Sequence, residues 1–86
     1  MFIDAPPKDK VDEYFKTAIK TVMMQGFAST SYLQRRLAIG YARAAKIIDQ
    51  MEDRGYIGPA TGAKQRKVLI TPEQFKEVFG EDYNTL

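Results

Sequence analysis

The residues best suited to chemistry are cations placed against amide and carboxylate side chains. Between residues 33 and 67 stand Arg35, Arg36, Arg43, Lys46, Arg54, Lys64, Arg66 and Lys67, facing only Asp49, Glu52 and Asp53, a local balance of +5. Residues 1–32 balance to zero and residues 68–86 carry −3, so the chain's net +2 hides a basic middle. Such a segment suits a polyanion. Lys46 and Asp49 lie three apart. On a helix they would share a face, with Lys46 able to donate to guanine O6 and N7 and Asp49 to accept from cytosine N4. Arg35 and Arg36 suit phosphates, which fix register without reading sequence.

Other chemistries find little support. There is no cysteine and no histidine, which removes disulfides, thiolate metal sites and the commonest general base. Neither a P-loop pattern nor G-x-G-x-x-G occurs. Asp49, Glu52 and Asp53 imitate an acid pair, but Lys46 and Arg54 sit beside them and solvated side chains account for them. The expectation is a binding module with no enzymatic activity and no cofactor. No apolar run approaches the roughly 20 residues that span a bilayer, and Met1-Phe2-Ile3-Asp4 lacks the basic and apolar regions of a signal peptide. A cytoplasmic setting without membrane contact is expected.

The elements that must position these residues can be read from spacing. Eighty-six residues allow one domain with a modest core. Pro6-Pro7 closes a lead-in over residues 1–8, and a helix is expected from about Asp9. Val11, Tyr14, Phe15, Ala18, Ile19 and Val22 form its apolar stripe, and Gly26 ends it. Ala28-Ser29-Thr30 offers a short sheet edge. Ser31 and Gln34 have capping-box spacing for a brief second helix, stopped by Ile39-Gly40 after Leu37. Gly40 is expected in a tight turn at positive φ.

A third helix is expected from Tyr41 to Arg54, capped by Gly55. Ala44, Ile47, Ile48 and Met51 make its apolar face, with Ala42, Lys46 and Asp49 opposite and Arg43 on the flank. Two helices joined by a short glycine turn, the second amphipathic, outline a helix-turn-helix. Tyr56-Ile57 and a buried Val68-Leu69-Ile70 then read as strands around a loop whose end, Lys64-Gln65-Arg66-Lys67, is basic: a wing. Thr71-Pro72-Glu73-Gln74 starts a last helix through about Phe79, with Gly80 as its stop. The expected fold is therefore mostly α with a small β-hairpin: a winged helix-turn-helix over residues 9–71, then a short extra C-terminal helix and tail over 72–86.

From Ser31 to Gly55, and above all at Ile39-Gly40-Tyr41-Ala42-Arg43-Ala44-Ala45-Lys46, the sequence resembles the gamma domain of the FtsK/SpoIIIE DNA translocases. Ile57-Gly58-Pro59 and Arg66-Lys67-Val68-Leu69 also fit that family's wing. The resemblance implies a winged helix at the C-terminal end of an ATP-driven motor, reading short asymmetric G-rich duplex sequences. In part of the family a tyrosine recombinase is contacted as well. It implies that Ala42, Lys46 and Asp49 are the base-reading positions, where relatives often carry asparagine or threonine, arginine and glutamate. The expected backbone and wing contacts are Arg35, Arg36, Tyr41, Arg43, Lys64, Arg66 and Lys67. The partners implied are double-stranded DNA and a motor domain in cis, with the isolated domain a monomer. Two alternatives share the fold: a stand-alone transcriptional regulator, although no dimerisation helix is evident, and a module that docks a protein such as a recombinase.

Overall fold

A computed structural model describes residues 12–62 and 65–84. In chain order it contains α1 (Phe15–Gln25), β1 (Phe27–Ala28), α2 (Thr30–Leu37), α3 (Tyr41–Asp53), β2 (Arg66–Lys67) and α4 (Pro72–Phe79). β1 and β2 pair antiparallel, Phe27 with Lys67 and Ala28 with Arg66, and a single bridge joins Ile57 to Val68. Two helices followed by a small wing make this the winged helix that the periodicity predicts, with α4 as the extra helix.

The apolar stripes explain the arrangement. Phe15, Ala18, Ile19 and Val22 from α1 meet Leu33 from α2 and Ala44, Ile47, Ile48 and Met51 from α3 in one buried cluster, closed by Ile57, Ile70 and Phe75. α1 begins later than Asp9 or a neighbour. Asp12 accepts the Tyr14 amide on its carboxylate and the Phe15 amide on its backbone carbonyl, both at 2.8 Å, so residues 12–14 form a turn ahead of the helix. Such local bonds compete with helix at Asp. Val11, expected on the stripe, lies outside the described residues. Gly26 closes α1 at φ 96°, as a glycine past a helix commonly does.

Three further expectations shift. The sheet edge is Phe27–Ala28, not Ala28 to Thr30. Ser29 instead caps α2, its hydroxyl accepting the Tyr32 amide at 3.3 Å, which displaces the expected Ser31/Gln34 box. The Ser31 hydroxyl turns to Ser29, 3.1 Å away. On the return limb of the wing the paired strand is Arg66–Lys67, so these two cations stand on the strand and not at the loop tip. Leu69, expected in a buried strand, is 46% exposed, because Leu69 and Ile70 both direct their amides to the Tyr56 carbonyl and leave the ladder.

The turn between α2 and α3 differs most. Gly40 has φ −74° and ψ 164°, an extended conformation open to any residue, and Ala38 takes the left-handed position at φ 54°, ψ 49°. The helix closes with the Ala38 amide on the Gln34 carbonyl. That left-handed cap lets half-buried Ile39 turn back toward the core before α3 starts. α4 is as expected: Thr71 and Gln74 exchange both bonds of a capping box, Pro72 opens the helix and Gly80 ends it. Phe75 is fully buried, and Glu81 beyond the helix pairs with Lys16 and Lys20 of α1.

A left-handed alanine carries strain that glycine avoids. Ala38→Gly is therefore expected to raise stability by up to about 1 kcal/mol, net of the entropy glycine adds to the unfolded chain. Gly40→Ala should change it by less than about 0.5 kcal/mol, since an added Cβ would meet nothing within 4 Å. Thermal denaturation of the two variants checks both; a clearly destabilising Gly40→Ala together with a destabilising Ala38→Gly would reverse the assignment.

Candidate nucleic-acid interface

The sequence of α3 builds a helix with two unlike faces. Ala44, Ile47, Ile48 and Met51 point into the core, and Ala42, Lys46 and Asp49 are exposed on the side away from it. Steps of four and three bring those three positions into one row along the helix. Tyr41, the first residue of α3, is 64% exposed. Gly40 gives α3 an N-cap without a side-chain bond, so no cap side chain occupies the first-turn amides. On α2, Arg35 and Arg36 are exposed in the last turn. Of the basic middle's described residues, Arg35, Arg36, Lys46 and Lys67 enter no ion pair.

The other cations are engaged within the chain. Arg43 makes a two-pronged pair with Asp12, Nε to Oδ2 at 2.8 Å and Nη2 to Oδ1 at 2.9 Å, and Nη2 also reaches Glu13 at 3.4 Å. Its guanidinium lies 4.5 Å from the centre of the Tyr14 ring. The Arg43 bond, more than any other influence, holds the Asp12 carboxyl below the usual carboxylate range, with Lys46 a smaller contributor. Arg66 donates to Glu52 of α3 at 3.1 Å, tying the wing's return strand to the third helix. Lys64 lies outside the described residues.

The structure thus gathers Ala42, Lys46 and Asp49 on one outward face, leaves Arg35 and Arg36 exposed in the last turn of α2 and Tyr41 exposed at the start of α3, and turns Arg43 and Arg66 to internal carboxylates. Sequence reasoning missed Asp12 and Glu13 as part of this site. The signal was present in an acidic pair just ahead of an apolar stripe, but which cation it would meet depends on how the chain closes. Chemically, the surface offers one donor, one acceptor and flanking cations around a convex helix. No helix of the described residues is long and apolar enough to cross a membrane.

Residues 9–71 match the family described as the FtsK gamma domain. Over 62 residues the chain is 55% identical to a DNA translocase FtsK of Lactiplantibacillus plantarum, covering 72% of this chain and 8% of that protein. Over 67 residues it is 46% identical to the DNA translocase SpoIIIE of Bacillus subtilis, covering 78% and 8% respectively. A DNA translocase FtsK of Corynebacterium efficiens is 42% identical over 76 residues, 88% of this chain and 8% of that protein. The chain therefore spans less than a tenth of the length of these relatives.

The Asp12–Arg43 pair has a pH signature. A carboxylate whose folded pKa lies below its unfolded value stabilises the fold above the unfolded value, and that contribution disappears as pH falls through the folded one. The Asp12 carboxyl, followed by NMR, should titrate below the ordinary value of about 3.9. Arg43→Gln should return the midpoint toward that value. A midpoint unchanged by Arg43→Gln would show that the pair does not persist in solution.

Proposed function

The chain belongs to the FtsK gamma domain family, and we propose that it binds double-stranded DNA sequence-specifically, reading a short asymmetric G-rich motif through α3 to orient a translocase in chromosome segregation. The observation that carries this reading is the outward row of Ala42, Lys46 and Asp49 on a helix whose opposite face is locked in the core. The major groove of B-DNA admits one such helix, and its base edges differ in their pattern of donors and acceptors. Lys46 donates to guanine and Asp49 accepts from cytosine. Ala42 supplies a methyl surface in place of a hydrogen bond. Arg35 and Arg36, at the end of α2, meet the phosphates and set the register, and Tyr41 at the start of α3 adds a further backbone contact. Lys67 is the described wing residue in position to add a backbone contact.

In this reading the domain acts as a monomer on a non-palindromic site. A motor domain in cis supplies the translocation, and a tyrosine recombinase is a second partner, as in part of the family. A cytoplasmic position follows from work on chromosomal DNA.

Selection of bound sequences from a random duplex pool should yield one G-rich, non-palindromic motif. Against that motif, Lys46→Ala should cost roughly 1–3 kcal/mol and relax selectivity at one base pair. Ala42→Asn should add a preference for adenine at a neighbouring position, because the amide pairs with adenine N6 and N7. Replacing Arg35 and Arg36 with alanine should instead weaken binding to every sequence and lower the salt slope by about 0.9 for each phosphate that is no longer neutralised. A panel of single-base duplex variants measures all three. Uniform losses for Lys46→Ala, with no new preference from Ala42→Asn, would remove α3 as the reader.

A further inference from the structure

Arg43 is the third residue of the helix proposed to enter the groove, yet its guanidinium is held by Asp12 and Glu13 from the segment that leads into α1. This is more than a passing surface pair. The geometry is bidentate, the Asp12 side chain is only 20% exposed, and the Tyr14 ring backs the guanidinium. Planar two-pronged pairs of this kind exceed the usual small worth of surface ion pairs. The same Asp12 carboxylate accepts the Tyr14 amide, so one side chain sets both the start of α1 and the position of Arg43. Arg43 itself remains 41% exposed, on the flank of the row formed by Ala42, Lys46 and Asp49, so an incoming anion can reach it.

Resting on the DNA-binding reading above, we infer that Asp12 is a positioning residue that competes with a DNA phosphate for Arg43. In the free domain the guanidinium is parked on Asp12. On duplex it moves to a phosphate oxygen, whose geometry matches the fork as a carboxylate does. Two consequences follow. Non-specific duplex, which offers α3 few base contacts, must break the pair with little return, so Asp12 weighs against it and raises selectivity. The segment before α1 is released when Arg43 changes partner, which couples binding at α3 to the chain that precedes the domain.

Asp12→Asn keeps an amide oxygen for Tyr14 but presents an amide NH2 to Arg43, which itself only donates. Duplex affinity should then rise about threefold to tenfold, with a salt slope steeper by the equivalent of about one phosphate. The gain should be larger on non-specific than on preferred duplex. Asp12→Glu, which restores a carboxylate, should return affinity toward that of the natural domain. In the Arg43→Gln background the same Asp12→Asn change should bring little or no gain. A gain of equal size in both backgrounds would mean simple removal of a repulsive charge and overturn the inference. Unchanged or lower affinity for Asp12→Asn would overturn it too, leaving Arg43 as a fixed clamp. NMR of the unmodified domain gives a second reading that does not depend on how any variant folds. Adding duplex should move the Arg43 Nε–H resonance and raise the Asp12 titration midpoint; if both stay still while duplex binds, the competition does not occur. A domain that binds no duplex at all before any substitution would instead sink the DNA-binding reading.

Discussion

Ala44, Ile47, Ile48 and Met51 are each within 3% of complete burial, and a helix of 3.6 residues per turn that buries those positions has no freedom to rotate. The three larger side chains contribute roughly 1.5–3 kcal/mol apiece. Turning α3 by a single position would surrender an amount comparable with the roughly 5–15 kcal/mol that holds a small domain folded. Where Lys46 and Asp49 point is therefore decided by the core and not by the surface. That makes the outward row an inherited consequence of packing, available to any chemistry its exposed side chains can perform.

The elements around α3 serve the same constraint by different means. α2 reaches it through a left-handed alanine, and the wing is fastened to it by Arg66 on Glu52. The segment ahead of α1 is fastened by Asp12 on Arg43. At the other end of the chain, Glu81 bridges Lys16 and Lys20, while Phe75 enters the buried cluster. The residues after 71 lie beyond the stretch matched by the family, yet they contribute a fully buried aromatic side chain. In a domain this small, one such ring is a substantial part of the apolar area removed from water.

Helical periodicity was legible in the sequence because it depends on neighbours three and four residues away, as the α1 stripe and the two faces of α3 show. The capping box at Thr71 and Gln74 was legible for the same reason. Legibility failed where two signals competed over a few residues. Ser29 and Ser31 both suit an N-cap, and the short strand before Ser29 decided between them. Gly40 looked like the left-handed residue because glycine adopts that conformation without strain, but the chain needed the turn two residues earlier to bring Ile39 inward. The ion pairs were illegible for a different reason. Asp12 and Arg43 are 31 residues apart, and Glu52 and Arg66 are 14 apart. Composition shows such charges, while only closure of the fold selects their partners.

Those pairings change what the basic middle of the chain means. Its +5 balance includes Arg43 and Arg66, both answered by carboxylates within the domain, and Arg54, which lies 5.4 Å from the centre of the Phe15 ring. The cations of that middle outside such ion pairs among the described residues, Arg35, Arg36, Lys46 and Lys67, are few and dispersed over α2, α3 and β2. On the DNA-binding reading proposed above, each cation held internally is one fewer to neutralise a phosphate without cost, and non-specific affinity, which grows with that number, falls accordingly. Base contacts then make up a larger share of the total binding energy. For a domain that reads one short sequence among very many competitors, as proposed above, the ratio of specific to non-specific binding matters more than strength alone. On that reading, internal carboxylates that occupy arginines improve the ratio without adding a single hydrogen bond to a base.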